Sequence, residues 1–483
     1  MKEHRLFIGG KWEAGASVRE IKSPFTGEAV ACCHQASPEQ LERALAASAA
    51  AFRDYRKVSR YARARLLSAM ARGLEARRAE FADAIVREAG KPLTLAEAEV
   101  GRAIGTFTLA AEEAKRLGGE VVPVDLDAAG RAYEAGVSVW VPKGPVLAIG
   151  PFNFPLNLIA HKAAPALAAG ATVLIKPPPQ APGAASLLAE VFEAAAREAS
   201  DARETVPAAA LQVLSAPNDV LSRAVTDPRV AVLSFTGSDK VGWLLQEKAV
   251  RKKVVLELGG DAAVIVAADA DLERAAARCA YGAFAYAGQI CISVQRILVQ
   301  AGVSARFREL FLKETAKLVS GDPARRETVS GPLIDAGAAD RVMAWIEEAK
   351  AGGAKVLAGG ARTGNVISPA VLANVPRTAK LACEEAFGPV AVLSDYAEFD
   401  DALAAVNASR FGLQAGLFTD SEALIRRASE ELEVGGLIVN DVPTYRADNM
   451  PYGGVKDSGL GREGVRYAIE DCCERRVVVR WRG

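Results

Sequence analysis

The sequence predicts an α/β protein with two lobes, each built around a buried parallel sheet, and a small β arm. From about residue 145, short aliphatic runs such as PVLAIG, ATVLIK, LQVLS and VAVLSFTG alternate with helical segments such as SLLAEVFEAAARE. Nearly continuous aliphatic strands separated by helices are typical of a parallel sheet covered on both faces. After Glu257 a second series follows (AAVIVA, RILVQ, AVLS, GLIVN), so we expect a hinge between the lobes near residues 254–260.

The first quarter of the chain is predicted to be helical. Ser37, Pro38 and Gln40 supply an N-cap, a first-turn proline and a capping-box partner for the first helix. A second helix is expected over residues 60–88, because large apolar residues recur there near a period of 3.6. Gly90 is its expected end.

Two segments outside the lobes alternate like strands and predict the arm. They are AYEAGVSVWVP at residues 132–142 and RRVVVRW near the C-terminus. Exposed edge strands pair readily with another chain. These segments therefore predict either a ribbon that joins subunits or two strands that pair with each other.

Composition limits the possible functions. The 483 residues are 50% apolar, which is enough for a large core, and 59 acidic residues balance 59 basic ones. A neutral chain has no overall field that attracts nucleic acid or an anionic membrane, so small molecules are the expected partners. The seven cysteines form no CxxC pair and there are three histidines, so we expect no metal site.

The expected location is the cytoplasm. Unpaired, scattered cysteines are typical of reduced thiols. The N-terminal MKEHRLFIGGKWEAG has charges where a signal peptide is apolar. No window supplies the roughly 20 apolar residues that a membrane span needs.

The chemistry is expected at two residues, Glu257 in VVLELGG and Cys291 in GQIC. A thiolate can capture a carbonyl carbon, and a nearby carboxylate can activate the water that cleaves the resulting thioester. With a hydride acceptor, such a pair oxidises an aldehyde to an acid. The alternative for Cys291 is a buried cysteine that only packs in the core.

Polar residues at strand ends extend the candidate site. Asn153, in PFNFP, is either a donor to a developing oxyanion or a turn asparagine. Gly237 and Ser238, in FTGSDKVG, begin a helix whose free N–H groups suit a phosphate, although glycine turns before helices are common for local reasons. Lys176 ends the strand ATVLIK, from which it reaches a ribose hydroxyl or lies at the surface.

Together these motifs resemble the aldehyde dehydrogenase superfamily. PFNFP, the Lys-Pro step at 176–177, FTGS, LELGG, GQIC, EEAFGP at 384–389 and PYGGVKDSGLGREG at 451–464 occur in that family's order and approximate spacing. The resemblance covers nearly the whole chain and implies two Rossmann-like α/β lobes with a β oligomerisation arm. The implied parts are a dinucleotide-binding domain at 1–118 and 143–253, an arm at 119–142 and 466–483, and a catalytic domain at 254–465.

The resemblance also implies a role for each motif residue. Cys291 is the expected nucleophile, and Glu257 is the expected base for the deacylating water. Asn153 and the Cys291 backbone N–H are the expected oxyanion donors, and Lys162, in LIAHK, is expected to relay protons nearby. The implied contacts to NAD or NADP are Phe152, Lys176, Gly237, Ser238, Gly259, Glu385 and Phe387.

The chain departs from the family at two positions. Where many members have a glutamate three residues after the lysine, this chain has Pro179, so a 2′-phosphate meets no carboxylate there. We therefore expect NADP to be accepted alongside NAD, with the preference left open. Asp261 follows LELGG, where many members have lysine or asparagine, and the sequence gives no reason for it.

The substrate is the least specified part of the prediction. Tyr445 and Arg446 lie where members of the family line the aldehyde channel. Arg446 either pairs with a substrate carboxylate or phosphate, or faces solvent or another subunit. The C-terminal GREGVRYAIED is most similar to members that act on small hydroxy-aldehydes, semialdehydes or glyceraldehyde 3-phosphate. A homodimer or homotetramer is the expected assembly.

Two other functions compete with hydrolytic, NAD(P)-dependent aldehyde oxidation. Members that transfer the acyl group to coenzyme A generally lack the glutamate that is present here as Glu257. A non-catalytic structural or binding protein on the same fold has no physical reason to keep Cys291, Glu257 and Asn153 together.

Overall fold

The computed structural model describes residues 2–482, and its first lobe contains an eight-stranded sheet. In spatial order the strands are Gly459–Leu460, Lys253–Glu257, Val232–Thr236, Val146–Ile149, Val173–Lys176, Leu211–Val213, Leu6–Ile8 and Lys11–Glu13. The five strands from Lys253–Glu257 to Leu211–Val213 are parallel, and the pairings at both edges are antiparallel. The predicted aliphatic runs therefore form the buried centre of this sheet.

The second lobe contains a seven-stranded sheet made from the second series of aliphatic runs. In spatial order its strands are Lys355–Ala358, Ala370–Ala373, Val390–Tyr396, Arg296–Gln300, Ala263–Val266, Gln414–Phe418 and Gly436–Val439. All neighbours are parallel except the first pair. The predicted two-lobed α/β fold is confirmed.

Helices cover both sheets. Within residues 2–482 the α-helices are Pro38–Tyr55, Arg60–Ala76, Arg78–Ala89, Leu93–Arg116, Asn157–Ala169, Gly183–Ala199, Asn218–Thr226, Asp239–Lys248, Leu272–Phe284, Ala301–Thr315, Ala336–Ala351, Lys380–Cys383, Phe399–Asn407, Glu422–Glu431 and Val465–Asp471. Short 3₁₀ turns are Gly130–Ala132, Ala208–Ala210 and Ala285–Gly288. None of these helices is long and apolar enough to cross a membrane.

The first helix begins as predicted, with Ser37 and Gln40 forming the complete capping box. The single helix expected over residues 60–88 was wrong, because the chain forms two helices that meet at Arg77. The backbone of Arg77 leaves the helical region (φ −114°, ψ 19°), and its guanidinium bonds Glu80 and Glu190. The apolar period continues across this break, which is why the sequence did not reveal it. Gly90 ends the second of the two helices in the left-handed conformation, as predicted.

The arm is a three-stranded antiparallel sheet in the order Cys473–Val478, Gly136–Pro142 and Gly119–Val122. The two alternating segments therefore pair with each other, which was one of the two alternatives. Val121 is 73% exposed on the outer strand. The remaining strands are Lys2–His4, Ser17–Lys22 and Ala29–Gln35, which form one small sheet, and the pairs Val319–Ser320 with Thr328–Ser330, Arg362–Thr363 with Val366–Ile367, and Phe411–Gly412 with Val455–Lys456.

The passage between the lobes overlaps the hinge expected near residues 254–260 and follows the end of one strand. The strand Lys253–Glu257 pairs along its whole length with Val232–Thr236, so it belongs to the first sheet. Gly459–Leu460, inside the segment assigned to the catalytic domain, also joins that sheet. The backbone crosses between the lobes over residues 258–262. Glu257, the last residue of its strand, therefore lies at the crevice between the lobes.

Candidate active site

A cavity of about 390 Å³ opens at the carboxyl ends of the first lobe's parallel strands. Ligands in open α/β sheets bind at this position. Its lining contains nine of the predicted site residues, namely Phe152, Asn153, Gly237, Ser238, Glu257, Gly259, Cys291, Glu385 and Phe387, together with Pro179 and Arg341. The structure therefore brings the two predicted chemical groups and most of the predicted cofactor contacts into one space.

Cys291 lies on a tightly held loop. Tyr286, Ala287 and Gly288 all have positive φ, and a Cβ at Gly288 would stand 2.1 Å from the Gly388 carbonyl oxygen. The Gln289 side chain anchors this loop, since its Nε2 donates to the Pro332 carbonyl over 3.1 Å and its Oε1 accepts from the Ile334 N–H over 2.9 Å. Strained conformations of this kind persist where the surrounding structure holds them, often at functional sites.

The Cys291 thiol is enclosed, and its sulfur lies 3.2 Å from the Tyr452 hydroxyl oxygen. Burial raises the pKa of Cys291 to about 12, although the Tyr452 hydrogen bond opposes the rise. This environment therefore favours the protonated thiol at neutral pH.

Glu257 ends its strand with the carboxyl group fully enclosed. Neither carboxyl oxygen has a hydrogen-bond partner within the described chain, and Oε1 stands 3.0 Å from where a Cβ of Gly453 would be. Burial, followed by the charge of Glu463, raises the pKa of Glu257 well above its ordinary value. The positive charges of Arg446 and Lys162 lower this pKa but do not cancel the rise. Glu257 is thus neutral at low pH and becomes a base as the pH rises through this raised value.

A buried chain of charges lies beside Glu257. Lys162 Nζ donates to Glu463 Oε1 over 2.9 Å, and Arg446 Nη2 donates to Glu463 Oε2 over 3.0 Å. Burial alone would raise the pKa of Glu463, but Lys162 and Arg446 lower it to about 2. Lys162 therefore lies near enough to Glu257 to lower its pKa, and its ammonium is paired with Glu463.

Asn153 is held from both sides. Its Nδ2 donates to the Gln289 carbonyl over 3.1 Å, and its Oδ1 accepts from the Phe154 N–H over 3.1 Å. This contact ties the PFNFP loop to the loop that carries Cys291. One amide hydrogen of Asn153 remains for a ligand.

Beneath the PFNFP loop, Lys91 and Glu99 form a fully buried ion pair at 2.6 Å. Lys91 also donates to the Asn153 carbonyl over 2.9 Å, and Glu99 Oε1 accepts from the N–H groups of Leu156 and Asn157. The pair thus fixes the loop and the start of the next helix.

Replacing Lys91 with methionine is expected to lower the free energy of unfolding by about 3 to 5 kcal/mol, because it leaves Glu99 buried without its partner. Urea titration followed by circular dichroism measures this change. Lys2→Met, which breaks an exposed ion pair with Glu80, is the matched control and should have little effect. An equal loss of unfolding free energy in Lys91→Met and Lys2→Met would contradict the stabilising role of the buried Lys91–Glu99 pair.

The residues expected to hold the dinucleotide fit that task. Ser238 lines the cavity and is the N-cap of Asp239–Lys248, but its side chain makes no cap bond, so the first N–H groups of that helix stay uncapped, as binding of a diphosphate requires. Glu385 Oε1 accepts from the Gly260 N–H over 3.0 Å. A Cβ at Gly259 would stand 2.5 Å from Glu385 Oε2, so glycine is what allows this approach.

Two aromatic rings close the cavity beside Glu385. Phe387 has positive φ (43°) and packs edge-on against Phe152, with the ring centroids 5.9 Å apart. Arg341, which sequence reasoning missed, also lines the cavity and donates to the Ala386 carbonyl over 2.8 Å. This donation fixes the backbone between Glu385 and Phe387.

Lys176 lies behind the lining, under the proline loop that contains Pro179. It is buried, and burial followed by the nearby charge of Arg19 lowers the pKa of Lys176 to about 8. Arg19 and Cys33 face each other in adjacent strands, and Cys33 Sγ contacts Ser215 Oγ at 3.2 Å. Arg19 therefore lies near Lys176, which precedes Pro179 by three residues.

The two predicted substrate residues differ in environment. Tyr445 is 53% exposed, outside the cavity lining. Arg446 also lies outside that lining but is buried, bound to Glu463 and stacked 3.8 Å over the Tyr452 ring. The alternative that Arg446 faces solvent is therefore wrong, because its guanidinium lies between two buried groups.

Asp261 now has a structural explanation. It is buried, accepts from the Ser409 hydroxyl over 2.8 Å and pairs with Arg296 at 3.1 Å. It thus holds the start of the second sheet in place.

Sequence reasoning missed Tyr452, Glu463, Lys91 and Glu99. Tyr452 and Glu463 belong to the motif at 451–464, but the sequence does not show which residues they contact. The other two lie in a helical region without any chemical motif. Across residues 2–482 no cluster of three or more His, Cys, Asp or Glu side chains is arranged to hold a metal ion.

Comparisons with known proteins agree with this geometry. The profile of the aldehyde dehydrogenase family matches residues 12–478. The chain is 41% identical over 480 residues to 3-sulfolactaldehyde dehydrogenase of Priestia aryabhattai, covering 99% of this chain and 98% of that protein.

Solved structures give the same result. Aldehyde dehydrogenase 21 from Physcomitrella patens, in complex with the reaction product succinate, superposes with a TM-score of 0.95 at 37% identity, covering 99% of this chain and 98% of that one. The NADP-dependent glyceraldehyde-3-phosphate dehydrogenase from Bacillus halodurans, complexed with NADP, superposes with a TM-score of 0.95 at 31% identity, with full coverage of both (100% each). The chain therefore belongs to the aldehyde dehydrogenase family and is an NAD(P)-dependent oxidoreductase of aldehydes.

Proposed function

We propose that the protein oxidises a small aldehyde that bears an anionic group or a hydroxyl group, and that it releases the free acid by hydrolysis. The observation that carries this proposal is one cavity lined by Cys291, Glu257 and Asn153 on one side and by Ser238 and Glu385 on the other. A nucleophile, a base and an oxyanion donor thus share a space with groups suited to a dinucleotide.

The first half of the reaction belongs to Cys291 and Asn153. Cys291 Sγ loses its proton to solvent and attacks the aldehyde carbon as a thiolate, and the free amide hydrogen of Asn153 donates to the oxygen that becomes negative. Preorganised donors of this kind typically contribute about 10²-fold to 10³-fold in rate. Loss of a hydride from the carbon bound to Cys291 Sγ, to an oxidised NAD(P)+ that Ser238 and Glu385 would hold, would leave a thioester on Cys291.

The second half belongs to Glu257. Its carboxylate removes a proton from a water that attacks the thioester carbon, and Cys291 Sγ leaves as the acid is released. The two unpartnered carboxyl oxygens support this role, because the group is free to accept a hydrogen bond from water. Lys162, bound to Glu463, lies close enough to influence the charge of Glu257 and is proposed to assist proton transfer.

The residues around the cavity fit a dinucleotide. We propose that the helix N-terminus at Ser238 and the turn at Gly237 hold its diphosphate, Glu385 one ribose, and Lys176 the other ribose. Lys176, the charge of Arg19 near it and Pro179 in place of a carboxylate support acceptance of a 2′-phosphate, and thus NADP.

Replacing Pro179 with glutamate is expected to lower kcat/KM with NADP about tenfold to a hundredfold, because a carboxylate in the cavity lining repels the 2′-phosphate. The kcat/KM with NAD should change much less, because NAD has no 2′-phosphate. Initial rates with each cofactor measure the ratio, and Pro179→Gln is the uncharged control. A ratio unchanged by the glutamate would place the 2′-phosphate elsewhere.

Two observations support the proposed substrate class. Arg446 Nε is buried without a hydrogen-bond partner among residues 2–482, and Arg446 stacks on Tyr452, which contacts Cys291. The similar protein from Priestia is named for sulfolactaldehyde, the one from Bacillus for glyceraldehyde 3-phosphate, and the one from Physcomitrella has succinate as its product. All three compounds are small anions.

A panel of aldehydes tests the function directly. Sulfolactaldehyde, lactaldehyde, succinate semialdehyde, glyceraldehyde 3-phosphate and the uncharged propanal are assayed with NAD and NADP by absorbance of the reduced cofactor. We expect the anionic or hydroxylated aldehydes to give the higher kcat/KM. A clear preference for propanal would contradict the proposed substrate class.

Hydrolysis is proposed over transfer to coenzyme A, because Glu257 is present in the cavity lining. Product analysis with and without coenzyme A separates the two reactions. Free acid formed without coenzyme A supports hydrolysis, and product formation that requires coenzyme A contradicts it.

We also propose a homodimer or homotetramer in the cytoplasm. The exposed valines of the arm, including Val121, Val137 and Val477, support pairing between subunits. The seven unpaired cysteines support a reducing compartment. Light scattering of the purified protein measures the assembly, and a monomeric mass would contradict it.

A further inference from the structure

The hydroxyl group of Tyr452 has no role in the proposed reaction of Cys291 and Glu257. The Tyr452 hydroxyl oxygen lies 3.2 Å from Cys291 Sγ, and this is the side-chain hydrogen bond that Cys291 makes among the described residues. Ile292 and Leu413 pack in the same buried cluster as Tyr452. We propose that the Tyr452 hydroxyl is a catalytic hydrogen-bond donor that stabilises the Cys291 thiolate.

The position of the Tyr452 ring is fixed from two sides. Its backbone N–H donates to the Glu463 carbonyl over 3.0 Å, and the Glu463 N–H donates back over 2.6 Å. The Arg446 guanidinium stacks 3.8 Å over the ring while it is bound to Glu463. The hydroxyl is therefore held in place before the sulfur ionises, so little ordering is needed at that moment.

Chemistry decides the direction of the hydrogen bond. Burial raises the pKa of Tyr452 well above its ordinary value, so the phenol keeps its proton. Once Cys291 has lost its proton, its sulfur can only accept. The Tyr452 O–H then donates to S⁻, and charge-assisted bonds of this kind are stronger than neutral ones.

The charges around the sulfur make this donor important. Glu257, at the end of its strand, and Glu385, after Lys380–Cys383, both disfavour a thiolate, whereas Arg446 favours it. Two carboxyl groups thus oppose one guanidinium. The Tyr452 hydrogen bond lowers the pKa of Cys291 more than the Arg446 charge does.

This inference rests on the proposed role of Cys291 as the nucleophile. Tyr452→Phe removes one oxygen and keeps the ring. We expect its Cys291 to react with iodoacetamide about threefold to tenfold more slowly between pH 7 and pH 10, since a higher thiol pKa leaves less thiolate. Peptide mass spectrometry confirms that the label is on Cys291.

Tyr55→Phe is the matched control. It removes another buried hydroxyl, which donates to the Leu167 carbonyl over 3.0 Å far from the site. Its labelling rate should equal that of the unmodified protein. A Tyr452→Phe rate that also equals the unmodified rate would overturn the proposal.

A graded variant separates donation from packing. A ring-fluorinated tyrosine at position 452 is a stronger donor of nearly the same shape. We expect faster labelling than in the unmodified protein, which is the opposite direction from Tyr452→Phe. If this variant labels no faster, Tyr452 acts only by packing and the proposal is wrong.

Turnover of Cys291→Ala distinguishes failure of the Tyr452 proposal from failure of the proposed function. If Cys291→Ala is inactive while Tyr452→Phe labels normally, only the Tyr452 proposal fails. If Cys291→Ala still turns over, the proposed function itself fails, and the Tyr452 proposal fails with it.

Discussion

Cys291→Ala is expected to lower kcat by about 10⁴-fold or more, because removal of a nucleophile eliminates the covalent route. The residual rate then reflects only the orienting groups of the cavity. The measurement is the rate of cofactor reduction with the best aldehyde of the panel, at saturating concentrations. Binding of the oxidised cofactor, followed by protein fluorescence, should be nearly unchanged.

Cys383→Ala is the control for this experiment. Cys383 is exposed, lies outside the cavity lining and is unpaired, so its loss should leave kcat unchanged. If Cys291→Ala retains more than about a tenth of the activity, Cys291 does not attack the substrate.

Glu257→Gln is expected to separate the two halves of the reaction. A burst of reduced cofactor, close to one equivalent per active site, should still appear, because hydride transfer does not need the base. Steady-state release of acid should fall about 10²-fold to 10⁴-fold, the usual contribution of a general base. Stopped-flow absorbance measures both phases. Loss of the burst itself would mean that Glu257 also activates the thiol.

The pH dependence gives a second check on Glu257. Burial raises its pKa, so the carboxylate, which is the active base, forms only as the pH rises through that raised value. Hydrolysis of the thioester should therefore rise with pH, with a midpoint above the ordinary range of a glutamate. In Glu257→Gln this rise of the hydrolysis rate with pH should disappear. A midpoint near 4.5 in the unmodified protein would contradict the buried, unpartnered state of the group.

Much of the fold could be predicted because its central strands are nearly continuous aliphatic runs. The strands at Val146–Ile149 and Ala263–Val266 follow those runs closely. The break at Arg77 could not be predicted, because the apolar period continues through it and Glu190, which Arg77 bonds, lies 113 positions away. Similarly, Glu257 belongs to the first sheet because of pairing between distant strands, which local sequence does not reveal.

The site was predictable where function depends on a motif. Cys291, Glu257 and Asn153 meet in one cavity, as the order of their motifs implied. The contacts that tune them come from distant segments: Tyr452 is 161 positions from Cys291, and Lys91 is 62 positions from Asn153. No local pattern marks such partners, so only the folded chain identifies them.

The central claim is that Cys291 Sγ forms a covalent thioester with the oxidised aldehyde. Glu257→Gln is mixed with oxidised cofactor and the preferred aldehyde, quenched in acid within the burst, and its intact mass is determined. We predict one added acyl group, found by peptide mapping on Cys291 and absent when the cofactor is omitted. An unmodified mass after a full burst, or an acyl group on another residue, would contradict the claim.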